Sequence, residues 1–150
     1  MAHNRTICKA PPDRVFAVLA DPRTYAYFVA GTRTIRRFDP RWPEPGSVFH
    51  HSLGVGVTLI RDETVVVETE PPRRLVVRPS MMPLAINETI FHLRPHNGVT
   101  LVEIEEYPVA GPASHRLVAP VVDRLLWLRN HVLLRRLRKV VEARQRQLRP

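Results

Sequence analysis

Residues 121–148 read VVDRLLWLRNHVLLRRLRKVVEARQRQL, with Pro120 directly ahead. No glycine or proline interrupts these 28 residues, and a proline suits the first helical turn, where its missing N–H costs nothing. At about 1.5 Å per residue the spacing predicts a helix roughly 42 Å long, wider than a small domain. On a helical wheel, Val121, Val122, Leu125, Leu126, Leu128, Val132, Leu133, Leu137 and Val140 fill about half the circumference. So broad an apolar face needs an extensive surface to lie against, and the remaining chain has to supply it.

Upstream, the sequence breaks into short elements. His3–Lys9 reads as a first strand. APPDRVFAVLADP then gives a short amphipathic helix with Val15, Phe16, Val18 and Leu19 on one face, stopped at Asp21-Pro22. Pro22–Phe28 reads as a second short helix, broken by Gly31. From Arg33 the signals change to alternation and β-branched runs. Strands are expected at Arg33–Phe38, Ser47–Leu53, Val57–Glu70, Arg74–Pro79, Leu84–Arg94 and Val99–Val109. Asn97-Gly98 is the sharpest turn signal, since both residues accept the positive φ of a tight hairpin. Consecutive hairpins imply an antiparallel sheet. The expected architecture is α+β: a curved antiparallel sheet of about seven strands wrapped around the long C-terminal helix, with two short helices after the first strand.

Composition bounds the remainder. The chain has 150 residues and 44% apolar content, enough for one domain with a real core. No apolar run approaches the ~20 residues that span a bilayer. The opening MAHNRTICKAPP lacks a basic-then-apolar leader, and the single Cys8 forbids an internal disulfide, so a cytoplasmic protein is expected. Residues 1–112 hold 13 Arg/Lys against 12 Asp/Glu, whereas residues 113–150 hold 10 against 2. The basicity therefore belongs to one helix and its tail. It reads as a solvated helix face in preference to a nucleic-acid or membrane-binding surface.

Taken together, PPDRVFAVLADP (11–22), PEPGSVF (43–49), ETEPPRRLVVR (68–78), TIFHLRPHNGVTLVEIEEY (89–107) and the terminal helix resemble the START-like, helix-grip superfamily. The polyketide cyclase/dehydrase and lipid-transport branch (SRPBCC) is the nearest in pattern, over nearly the whole chain. The resemblance implies a single domain that binds a hydrophobic or amphipathic small molecule between sheet and helix, with catalysis in a minority of such proteins. No shared catalytic motif accompanies it. It also implies that Phe91 and Leu93 face the cavity, and alternation then turns Asn87 and Thr89 inward.

On the following strand, Val102 and Ile104 inward bring Glu106 to the same face. There it is either a cavity carboxylate, able to serve as acid or base, or a solvated residue at the strand's end. Arg129 and Arg136 fall at the centre of the helix's apolar arc, one heptad apart. Either Arg129 reaches into the cavity to meet a carboxylate, from a ligand or from Glu106, or both arginines snorkel to water. In the first case Arg129→Leu should leave the fold intact and abolish binding of an anionic ligand. The expected lining is Trp42, Phe49, Met81, Asn87, Phe91, Leu125, Arg129 and Val132, an apolar wall with few polar groups.

No metal or other cofactor is expected. His50 and His51 are adjacent on a strand and point to opposite faces, and no HxxxH or HExxH spacing occurs. Gly54-Val55-Gly56 lacks the strand-to-helix context of a dinucleotide loop. Trp127, Leu134 and Val141 repeat every seven residues opposite the main arc, a possible homodimer seam. Three functions stay open: binding or transport of an apolar small molecule, a cyclase or dehydratase using Glu106, and a non-catalytic interaction module working through the helix.

Overall fold

In a computed structural model of the chain, Asn97 (φ 49°) and Gly98 (φ 81°) form the tight turn that their chemistry predicts. The model describes residues 1–55, 57–81 and 85–150, with the side chains of Val55, Thr58 and Met81 outside that description. The turn joins β6 (Ala85–His96) to β7 (Val99–Ala110), which pair antiparallel from His96↔Val99 to Ile86↔Ala110. The earlier strands are β1 (Ala2–Cys8), β2 (Thr32–Phe38), β3 (Val48–Val55), β4 (Thr58–Glu70) and β5 (Arg74–Met81). Helices α1 (Pro12–Leu19) and α2 (Tyr25–Phe28) follow β1, and α3 (Ala119–Gln147) ends the chain.

The strands form one antiparallel sheet in the order β1-β7-β6-β5-β4-β3-β2. Register shifts between Thr32 and Thr34, Ile35 and Arg37, Val66 and Glu68, and Ile86 and Asn87 bend it, because a bulge adds a residue to one strand only. The concave face thus closes around α3, the helix-grip arrangement. At one end α1 and α2 seal it with an aromatic cluster. Tyr25 Oη and Trp42 Nε1 both donate to the Leu19 carbonyl, at 2.9 and 3.1 Å. The Phe49 ring lies 4.9 Å from Tyr25 and 4.7 Å from Trp42.

α3 runs parallel to the edge strand β1 and is tied to it three times. The N-terminal ammonium meets Asp123 at 2.6 Å, Asn4 Nδ2 donates to the Trp127 carbonyl at 3.1 Å, and Lys9 N–H donates to Glu142 at 3.0 Å. The spacings agree: 19 helical residues rise roughly 28 Å and eight strand residues roughly 26 Å.

The face that α3 buries differs from the one its wheel predicts. Leu126, Asn130, Leu133, Leu134, Leu137 and Val141 are buried, whereas Val121, Leu125, Leu128 and Val132 are exposed. The first turns carry apolar residues almost all round, so they pull the average towards the solvent side. The phase is set by Leu133–Val141, the half seated against the core. The seam of Trp127, Leu134 and Val141 is corrected accordingly. Leu134 and Val141 are 2% and 1% exposed in the core cluster, and only Trp127 reaches solvent, stacked on His131 under Arg124. No described helix is long and apolar enough to cross a membrane.

Candidate functional site

Alternation along β3 to β7 turns one set of side chains onto the concave face, and α3 covers part of it. Between them lies a cavity of about 60 Å³. Phe49 and His51 from β3, Thr64 from β4, Val77 from β5 and Thr89 and Phe91 from β6 form its sheet side. Tyr25 of α2 closes one end, and Arg129 and Leu133 of α3 form the roof. The wall is largely apolar, and its polar groups gather beneath the helix.

Behind that wall lies Glu106, at 0% exposure. Arg129 Nη1 donates to both its carboxylate oxygens, at 3.2 and 3.0 Å, and Asn87 Nδ2 donates to Oε1 at 3.0 Å. Nη1 also reaches Asn130 Oδ1 at 3.4 Å. Among the alternatives open for Glu106 and Arg129, the structure has an internal ion pair, with the carboxylate supplied by the protein itself. Arg136 is exposed and snorkels.

His51 adds a second polar station. Its Nε2 lies 3.2 Å from Thr64 Oγ1, and the ring is buried against the Glu63 backbone. Burial pushes the imidazole down to about 4, assisted by the Arg36 and Arg129 charges, so the ring is neutral at pH 7. Thr89 Oγ1 is buried and unpartnered among the described residues, directly across from Glu106 in the β6–β7 register. His50 points the other way, towards Glu63 at 3.7 Å.

The expected lining divides. Phe49, Phe91 and Arg129 border the cavity. Asn87 stands behind the wall, holding Glu106. Trp42 is corrected to a core residue of the sealed end, because its indole N–H is committed to Leu19. Leu125 and Val132, 61% and 38% exposed, are corrected to the solvent side for the reason of helix phase given above. The Met81 side chain lies outside the described residues, as do Met82 and Gly56. Reasoning from sequence missed His51 and Asn130. Counting two on from Phe49 would have turned His51 inward, and an Asn beside Arg129 within an apolar run marks a helix position that faces protein.

Asp62 sits opposite His51 in the β3–β4 register, and burial pushes its carboxyl up to about 6. A carboxyl raised from 3.8 binds its proton more tightly when folded, so it erodes stability as pH climbs from about 4 to 6. His51, lowered from 6.5, erodes stability as pH falls from 6.5 towards 4. Asp62→Asn is therefore expected to stabilise the protein by roughly 1–2 kcal/mol at pH 7. The gain should vanish by pH 4, where thermal melting would show only the histidine's loss. A gain independent of pH would contradict the assignment.

Solved structures share this architecture. Protein CV1439 from Chromobacterium violaceum superposes with a TM-score of 0.71 over 93% of this chain and 96% of its own, at 16% identity. Ara h 8.0201 gives 0.72 over 94% and 96%, at 10% identity. StfQ, a di-domain ARO/CYC from the steffimycin biosynthetic pathway, gives 0.75 over 95% of this chain and 50% of its own, at 13% identity. No family model and no curated protein matches the chain. The likeness establishes the fold, a curved antiparallel sheet gripping a long C-terminal helix.

Proposed function

We propose that the protein binds an apolar or amphipathic small molecule between sheet and helix, its polar end beneath Arg129 and its apolar body towards the open side. The observation that carries this reading is an apolar cavity with a few convergent polar groups, one of them, Thr89 Oγ1, buried without a partner among the described residues. At about 60 Å³ the cavity holds only a handful of waters, so a ligand's head fits as it stands and a larger body requires the wall to part. The likeness in fold to StfQ, a di-domain ARO/CYC from the steffimycin biosynthetic pathway, supports the same reading.

A cyclase or dehydratase using Glu106 is the weaker reading. Its carboxylate is already held by Arg129 and Asn87 and is not among the groups that line the cavity. A titration with Nile red, a neutral apolar dye, tests the binding reading. Saturable one-to-one binding is expected, lost in Val77→Trp, which fills the cavity and whose fold circular dichroism would verify. Equal binding by the filled variant would place the dye elsewhere and sink the reading.

A further inference from the structure

We propose that the cavity selects uncharged ligands bearing a carbonyl or hydroxyl oxygen, and that Glu106 enforces this by neutralising Arg129. The inference deepens the ligand-binding reading and rests on it. An arginine in an apolar cavity ordinarily signals an anionic ligand, because a buried cation needs a partner. Here the partner is built in. Both Glu106 oxygens accept from Arg129 Nη1, and the carboxylate has no exposure to solvent.

The charge inventory around the cavity leaves no net cation. Arg129 comes from α3 and Glu106 from β7, and they cancel. His51 from β3 is neutral at pH 7, and Asp62 on β4 contributes negative charge if anything. Arg36 of β2, which donates to the backbone carbonyls of His51 and Asp62 at 3.4 and 3.5 Å, is the second cation, and the Asp62 carboxylate, ionised at pH 7.5, offsets it. A ligand carboxylate entering here would meet a second carboxylate in a medium that screens it poorly.

Hydrogen-bond donors remain available all the same. Every hydrogen bond Arg129 makes to a described residue leaves from Nη1, so Nε and Nη2 still carry N–H groups. Thr89 Oγ1 lines the same cavity, buried and unpartnered among the described residues. Donors without net charge fit a neutral acceptor oxygen, and Thr89 has to bond something or pay its burial unrelieved.

The test compares 2-undecanone with undecanoate by calorimetry and ligand-observed NMR at pH 7.5, on the full chain. Wild type is expected to hold the ketone about tenfold more tightly than the carboxylate. Glu106→Gln keeps an acceptor for Arg129 at nearly constant volume and removes the charge. It should reverse the order, with carboxylate favoured about tenfold and ketone affinity changed by less than about threefold. Thr89→Val, which alters no charge, should weaken the ketone about fivefold without making the carboxylate the tighter ligand. A wild type that prefers the carboxylate, a preference that Glu106→Gln leaves in place, or a ketone affinity insensitive to Thr89→Val overturns the proposal. Failure of both probes to bind wild type, Glu106→Gln and Thr89→Val overturns the ligand-binding reading itself, and the selection with it.

Discussion

Arg129→Leu is expected to destabilise the protein by about 3–5 kcal/mol, a large share of the 5–15 kcal/mol typical of a domain. For a chain of this length that lowers the melting temperature by roughly 10 °C. The cause is not the loss of a favourable pair, since such a pair contributes little net of desolvation. It is the carboxylate left behind. Glu106 has no solvent exposure, and without the guanidinium its only other described side-chain donor is Asn87 Nδ2. The expectation drawn from sequence, that this substitution spares the fold, is thereby reversed.

A double-mutant cycle isolates the effect. Adding Glu106→Gln to Arg129→Leu removes the stranded charge and should recover most of the loss, to within about 1–2 kcal/mol of wild type. Urea denaturation of the four proteins gives the coupling directly. A single Arg129→Leu variant melting within 2 °C of wild type would mean that the carboxylate finds water, contrary to the structure (a threshold of about 0.5–1 kcal/mol).

Phe91→Ala is the second large effect, at about 3–5 kcal/mol. The ring is fully enclosed, belongs to the core cluster and borders the cavity with Val77 and Leu133. Truncation removes apolar contact and leaves a void that merges with the existing 60 Å³ rather than collapsing. Stability and capacity should therefore move in opposite directions. Urea midpoints would fall, while bulkier apolar ligands would gain affinity relative to slender ones. A loss below about 1 kcal/mol would show that Phe91 is not packed as described.

Local chemistry accounts for what was legible beforehand. The Asn97-Gly98 turn, the stop at Asp21-Pro22 and the uninterrupted run after Pro120 are decided within a few residues, and the elements fall between them. Period two along β6 and β7 likewise puts Asn87, Thr89 and Phe91 on one face with Glu106, because alternation is a backbone property that survives so long as no bulge intervenes. The bulge at Ile86 lies just before that stretch.

Other features depend on what the helix lies against. The wheel of α3 has apolar residues on both sides in its first turns, and nothing in the sequence says which end governs the phase. Its seating on β1 through Asp123, Trp127 and Glu142 does, and it moves Leu134 and Val141 into the core and Leu125 and Val132 out of it. Trp42 followed the same logic: its indole, expected to line the cavity, belongs to the sealed end once the Leu19 carbonyl claims its N–H. The sequence by itself determined the strands, the turns, the long helix and the face that Glu106 shares with Val102 and Ile104, since these follow from short-range sterics and periodicity. Only the tertiary structure decided that Arg129 spends its charge on Glu106, because a buried ion pair between residues 23 positions apart is settled by which surfaces meet.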